Sequence, residues 1–163
     1  MAYIELTNVT KIYNKKKIID NISFYVNKGD VIGFLGANGA GKSTLMEMIV
    51  TLIKPTSGDI LYDGKSIIKN PSIIRGNIGY VPQEIALYQE LSGMDNLKYW
   101  GKTFHLDKKR LVETIENIKK IIGLNNEDLK KKVRLYSGGM KRRLNIGVAL
   151  LNDPDIIVMD EPT

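Results

Sequence analysis

The apolar positions keep a short period at the start of the chain, lengthen to a helical period in the middle and end in a brief strand-like run. Residues 3 to 35 contain the apolar segments Ile4-Glu5-Leu6 and Ile18 to Val26, separated by polar Lys/Asn stretches and closed by Asn27-Lys28-Gly29-Asp30. That near-alternation predicts antiparallel strands joined by a turn. Val31-Ile32-Gly33-Phe34-Leu35 predicts a buried strand, and Ser43 to Ile49 opens a helix that ends before the turn-rich Lys54-Pro55-Thr56-Ser57-Gly58. Asp59 to Gly64 and Ile78 to Val81 read as strands around a short connecting segment. From about residue 90 to 135 the pattern is helical: Leu97, Trp100, Gly101 and Phe104 form one stripe, and Leu111, Ile115, Ile118 and Ile122 form a second that Gly123 ends. Met140 to Leu151 is a helix with Leu144, Val148 and Leu151 on one face, and Asp155-Ile156-Ile157-Val158-Met159 predicts a buried strand.

Composition narrows the classes. With 163 residues, 43% hydrophobic and 26% charged, the chain suits one domain with a real core rather than a disordered segment. There is no cysteine, which excludes a disulfide scaffold or thiolate metal site and fits a reducing compartment. The apolar runs are short and the start lacks a basic region followed by an apolar one, so neither a membrane span nor a secretory signal is expected. The net charge of +6 suits nucleic acid, an anionic membrane face or nucleotide alike. Lys15-Lys16-Lys17 reads as a solvated loop, and Lys130-Lys131-Lys132 as the exposed face of a short helix. His105, the one histidine, has no partner at metal-ligand spacing and is read with Trp100 as packing.

The chemistry concentrates in Gly36-Ala37-Asn38-Gly39-Ala40-Gly41-Lys42-Ser43-Thr44, which fits G-x-x-x-x-G-K-[ST] between an apolar run and a helix start. Glycines let the backbone wrap a polyphosphate, the N–H groups and the helix dipole supply positive charge, and the Lys42 ammonium reaches the outer phosphates. Ser43 is left to hold magnesium. Three further places carry candidate chemistry. Tyr13 either stacks on a base or lies half-buried on a strand face. Gln83, at a strand end, has an amide able to act near a metal-bound water. Ser137-Gly138-Gly139 is either a second anion site at a helix start or a plain serine N-cap. Asp160-Glu161, at the end of an apolar strand, places Asp160 for magnesium and Glu161 to take a proton from an attacking water.

In this order the motifs resemble the nucleotide-binding domains of ATP-binding-cassette (ABC) transporters, and the resemblance covers the whole chain. It implies an α/β fold: a P-loop NTPase core of RecA-like type with an N-terminal antiparallel β subdomain and a helical insert. Residues 1-83 and 146-163 would form core and β subdomain, and 84-145 the helical subdomain with the signature motif. Tyr13 would stack on adenine, Gly36 to Thr44 would hold the phosphates of ATP, and Ser43 and Gln83 would coordinate Mg2+ with support from Asp160. Glu161 would be the general base, and Gln83 would also couple to the membrane partner. Ser137, Gly138 and Gly139 would cap the γ-phosphate held by a second nucleotide-binding domain, in a head-to-tail homodimer or heterodimer. The partners implied are that second domain and a separate transmembrane permease, on the cytoplasmic face of the cell membrane.

Where the usual signature reads Leu-Ser-Gly-Gly-Gln, this chain reads Tyr136-Ser137-Gly138-Gly139-Met140, followed by Lys-Arg-Arg-Leu. That variant resembles the ABC-2 type branch that exports drugs, lipids or polysaccharides, and Met140 is given no ligand contact. The family continues past Asp-Glu-Pro-Thr with a further strand, between the Asp-Glu strand and the phosphate-loop strand, that ends in a histidine. The resemblance therefore implies an incomplete core: ATP binding without efficient hydrolysis. Two other readings are a soluble ABC ATPase acting on ribosomes or nucleic acid and a non-catalytic nucleotide-binding fragment. Basic residues interleaved with aromatics would favour nucleic acid, and neither lysine run is so arranged, so no nucleic-acid partner is expected.

Overall fold

The early alternation becomes two long antiparallel strands, β1 (Ile4–Tyr13) and β2 (Lys16–Val26), in a computed structural model that describes residues 3 to 160. Asn14 and Lys15, with φ of 47° and 65°, make the two-residue turn between them, and this left-handed backbone conformation suits the right-handed twist of the strands. Lys16 and Lys17 therefore open β2 rather than lying in a loop, because the turn needs only two residues. With β3 (Ser57–Tyr62) and β4 (Lys65–Ser66) they form a sheet of order β2-β1-β3-β4, its last hairpin turning through Asp63-Gly64.

β1 runs through residues whose alternation is broken, because it is bulged. Asn8 and Asn21 have φ of 50° and 53°, and the Asn8 side-chain amide donates to Asn21 Oδ1 at 2.9 Å. Ser23 Oγ accepts from Asn8 N and Thr10 Oγ1 from Asn21 N, so the bulges leave neither amide unpaired.

The chain divides into two units after Ile78. The first holds the four-stranded sheet, α1 (Lys42–Ile49) and α2 (Ser72–Arg75), with Leu6, Val9, Met48, Ile60, Ile67 and Ile74 buried. In it the expected strand at residues 31 to 35 does not form. The segment pairs with no described strand, and Val31 and Leu35 are both 99% exposed; only Phe34 is held, edge-on against Phe24 at 5.6 Å. Propensity alone cannot make a strand without a hydrogen-bonding neighbour.

The second unit carries β5 (Ile78–Val81) beside β6 (Ile156–Met159) and the helices α3 (Gly93–Thr103), α4 (Lys108–Ile122), α5 (Asn126–Lys130) and α6 (Gly138–Leu150). Each helix starts at a side-chain cap: Ser92 accepts from Asp95 N, Asp107 from Arg110 N, Asn125 from Asp128 N and Ser137 from Met140 N. The stripe Leu111, Ile115, Ile118 and Ile122 is buried as predicted, against Leu97, Leu129 and Leu144, and Gly123 ends α4 at φ 61°. β6 is only partly buried, with Ile157 39% exposed, since among the described residues β5 is the strand beside it. Trp100 packs on the core and against Tyr99 and Phe104, but His105 is exposed, at φ 59° just beyond α3, so it does not pack as expected. No helix among the described residues is long and apolar enough to cross a membrane.

Two buried polar groups fix the loops of this unit. Asn96 is fully buried: its Oδ1 accepts from Tyr88 N, and its amide donates to the carbonyls of Tyr88 and Ser92. The Tyr136 hydroxyl donates to the Asp128 carbonyl at 2.7 Å. Burial pushes that hydroxyl up to about 12, and the Asp128 carboxylate adds to the effect. Between the ordinary value of 10.0 and about 12 the unfolded chain releases this proton while the folded chain keeps it, so this contribution to stability is whole below pH 10 and is lost as pH rises toward 12. Tyr136→Phe is expected to cost about 1 kcal/mol at neutral pH, and to lose stability less steeply than the parent between pH 10 and 12 in urea unfolding.

Candidate functional site

The loop from Gly36 to Thr44 turns on two of its glycines. Gly39 and Gly41 have φ of 81° and 90°, in the left-handed region. A Cβ at Gly41 would stand 2.7 Å from Ile19 Cδ1 and 2.9 Å from the Ile18 carbonyl oxygen, so glycine is needed there for space as well as for conformation. Gly41 stands at the N-cap of α1 and supplies no side-chain cap. The contrast with α3, α4, α5 and α6 is informative, because the first amides of α1 alone among these five helices are left to an external acceptor. Lys42 curls its ammonium back onto the Gly36 and Ala37 carbonyls, at 2.8 and 3.1 Å. Residues 36 to 40 are exposed; Ser43 and Thr44, in the first turn of α1, are half-buried. Tyr13, the last residue of β1, is exposed, at 45%, with the Lys11 ammonium 4.8 Å over its ring.

The second unit places the other motif residues. Gln83 is exposed two residues past β5, and Asp160 is buried directly after β6. Asp160 N donates to the Val81 carbonyl at 2.9 Å, and its Oδ1 is buried with no hydrogen-bond partner among the described residues. An orphaned carboxylate oxygen of this kind suits a hard cation. Among the described residues no three His, Cys, Asp or Glu side chains cluster to hold a metal ion. Glu161 lies outside the described residues.

Ser137 caps α6 through its Oγ, as the plain N-cap reading held, while a Cβ at Gly138 or Gly139 would meet nothing within 4 Å, so this helix start also opens outward. Met140 is half-buried and packs on the helical core.

One residue that the motifs do not reveal links these pieces. Arg142 of α6 donates from one guanidinium nitrogen to the Pro82 carbonyl and from the other to the Asp160 carbonyl, both at 2.6 Å. Its partners lie 60 and 18 residues away in sequence, and no periodicity reports such pairs.

Residues 19 to 163 match the family model described as ABC transporter. The chain belongs to the ABC transporter family. It is 46% identical over 164 residues to the linearmycin resistance ATP-binding protein LnrL of Bacillus subtilis (strain 168), covering 98% of this chain and 51% of that protein. It is 41% identical over 160 residues to the bacitracin transport ATP-binding protein BcrA of Bacillus licheniformis, again covering 98% and 51%. This ABC chain thus spans about half the length of the curated relatives it matches. Among solved structures it resembles the dimeric post-hydrolysis state of the ATP-binding cassette MJ0796 bound to ADP and Pi, with a TM-score of 0.87, 27% identity, and coverage of 98% of this chain and 74% of that one. Members of the ABC family are P-loop ATPases that serve transport.

Proposed function

We propose that this chain is the ATP-binding part of an ABC-2 type exporter, docked on a transmembrane permease at the cytoplasmic face of the membrane. The observation that carries the reading is the phosphate loop: two left-handed glycines, an uncapped helix start and a lysine ammonium resting on loop carbonyls. The similarity to resistance and bacitracin-transport ATP-binding proteins supports the exporter branch.

In this reading the backbone of residues 36 to 44 binds the phosphates of ATP and Lys42 turns from the Gly36 and Ala37 carbonyls to them. Tyr13 stacks on the adenine. Magnesium, when bound, neutralises phosphate charge; Ser43, Gln83 and Asp160 would hold it. Glu161 accepts a proton from the attacking water. Ser137, Gly138 and Gly139 face the nucleotide of a second nucleotide-binding domain, for which the open side of the two glycines leaves room, so that ATP joins two such domains head to tail.

The segment from Val31 to Leu35, with two fully exposed apolar side chains, pairs with no strand among the described residues, so the strand side of the loop has no sheet to brace it there. In this reading the chain binds ATP without hydrolysing it efficiently. In a magnesium-ATP turnover assay the chain is expected to release phosphate at least 100-fold more slowly than the typical enzyme median of about 10 per second, and Glu161→Gln to change that residual rate little. Rapid steady-state turnover that vanishes in Glu161→Gln would refute the hydrolytic part of the reading.

A further inference from the structure

We propose that Arg142 is a positioning residue for magnesium-dependent ATP binding, which holds the strand ends that present Gln83 and Asp160 in register with the helix headed by Ser137-Gly138-Gly139. The inference rests on the reading above.

A guanidinium is a planar fork whose donors can meet two separate acceptors at once. Here the two acceptors are main-chain carbonyls on different strand exits. Pro82 directly precedes Gln83, and Asp160 carries the buried, unpartnered Oδ1. Asp160 is consequently gripped on both sides of its Cα: its N–H donates to Val81, and its carbonyl accepts from Arg142. With N–H and C=O both fixed, the direction in which the carboxylate leaves the backbone is set. The same fork fixes the backbone one residue before Gln83, so one side chain sets the position of both second-unit oxygen donors.

Arg142 also lies four residues into α6 from Gly138, about 6 Å along the helix axis. A shift of the helix start is thereby passed to Pro82 and Asp160 through a short, stiff link of one side chain and two 2.6 Å hydrogen bonds. The neighbouring Arg143 differs: it donates to the Ile122 and Gly123 carbonyls and closes the C-terminus of α4, away from either strand end.

The test measures ATP affinity of the 163-residue chain with excess EDTA and again with saturating magnesium, together with thermal melts, for the parent, Arg142→Met and Arg142→Lys. Arg142→Met is expected to leave metal-free affinity within about twofold of the parent while removing at least fivefold of the gain that magnesium gives. Lysine keeps the charge but offers one donor centre instead of a fork, so Arg142→Lys should restore only part of that gain. If the methionine variant does not fold at the assay temperature, the partial loss in Arg142→Lys carries the test. An undiminished magnesium gain in a folded Arg142→Met, or equal losses with and without magnesium, would overturn the proposal and leave Arg142 a purely structural clamp. Failure of the parent chain to bind ATP at all would instead refute the functional reading and this proposal with it, and that outcome is recognisable because it precedes any substitution.

Discussion

Lys42→Ala is expected to weaken ATP binding by roughly 30- to 150-fold, a loss of about 2 to 3 kcal/mol. The Lys42 ammonium donates to the carbonyls of Gly36 and Ala37, and both bonds lie in exposed surroundings. A phosphate oxygen is the better acceptor because it is charged, so the side chain exchanges two neutral partners for an ionic one when nucleotide arrives. Nothing comparable is lost from the fold, since the two carbonyls left behind return to water. The melting temperature of Lys42→Ala should therefore stay close to that of the parent while calorimetric ATP affinity falls. A parallel collapse of both would show that Lys42 holds the loop together rather than the ligand.

The largest structural effect is expected at Gly58, far from the loop in sequence. Gly58 has φ 87°, and a Cβ there would overlap the Asn8 carbonyl group and stand 2.6 Å from the Thr7 carbonyl oxygen, all of it backbone. The register between β1 and β3 explains why. Thr7 pairs with Asp59 and Thr10 with Ser57, so the two residues Asn8 and Val9 bulge opposite the single Gly58. A left-handed alanine costs roughly 1 to 2 kcal/mol, and forced separation of the strands adds about 1 to 3 more. Gly58→Ala should then lower the melting temperature by on the order of 10 °C. Gly64→Ala is the control: φ there is 72°, but a Cβ meets nothing within 4 Å, so only the conformational cost of about 1 to 2 kcal/mol applies. Equal destabilisation of the two variants would show that the close approach to β1 is not the cause.

What could be read from the sequence was local. The helix start at Lys42, the stripe from Leu111 to Ile122 and the stop at Gly123 each depend on a few consecutive residues and stand as expected. The hairpin through Asn14 and Lys15 was visible only as a break between apolar segments, because the bulges at Asn8 and Asn21 interrupt the alternation that would have marked β1 to its end. The segment from Val31 to Leu35 shows the limit most clearly. Its composition is that of a buried strand, but a strand is a property of a pair, and among the described residues it has no partner. Arg142 escaped for a related reason: its hydrogen-bond acceptors are the carbonyls of Pro82 and Asp160, which only the fold brings to it. Buried Asn96 looked like any polar helix residue, yet its three hydrogen bonds organise the loop from Tyr88 to Ser92.

The central claim, that residues 36 to 44 are a working nucleotide cradle, is tested most directly by following the backbone amide resonances of the chain as magnesium-ATP is added. The amides of Gly39, Gly41, Lys42, Ser43 and Thr44 are expected to show the largest shifts, saturating together, with no such change in Lys42→Ala at the same ATP concentrations. Saturable binding that leaves those amides unmoved, or that persists undiminished in Lys42→Ala, would contradict the account.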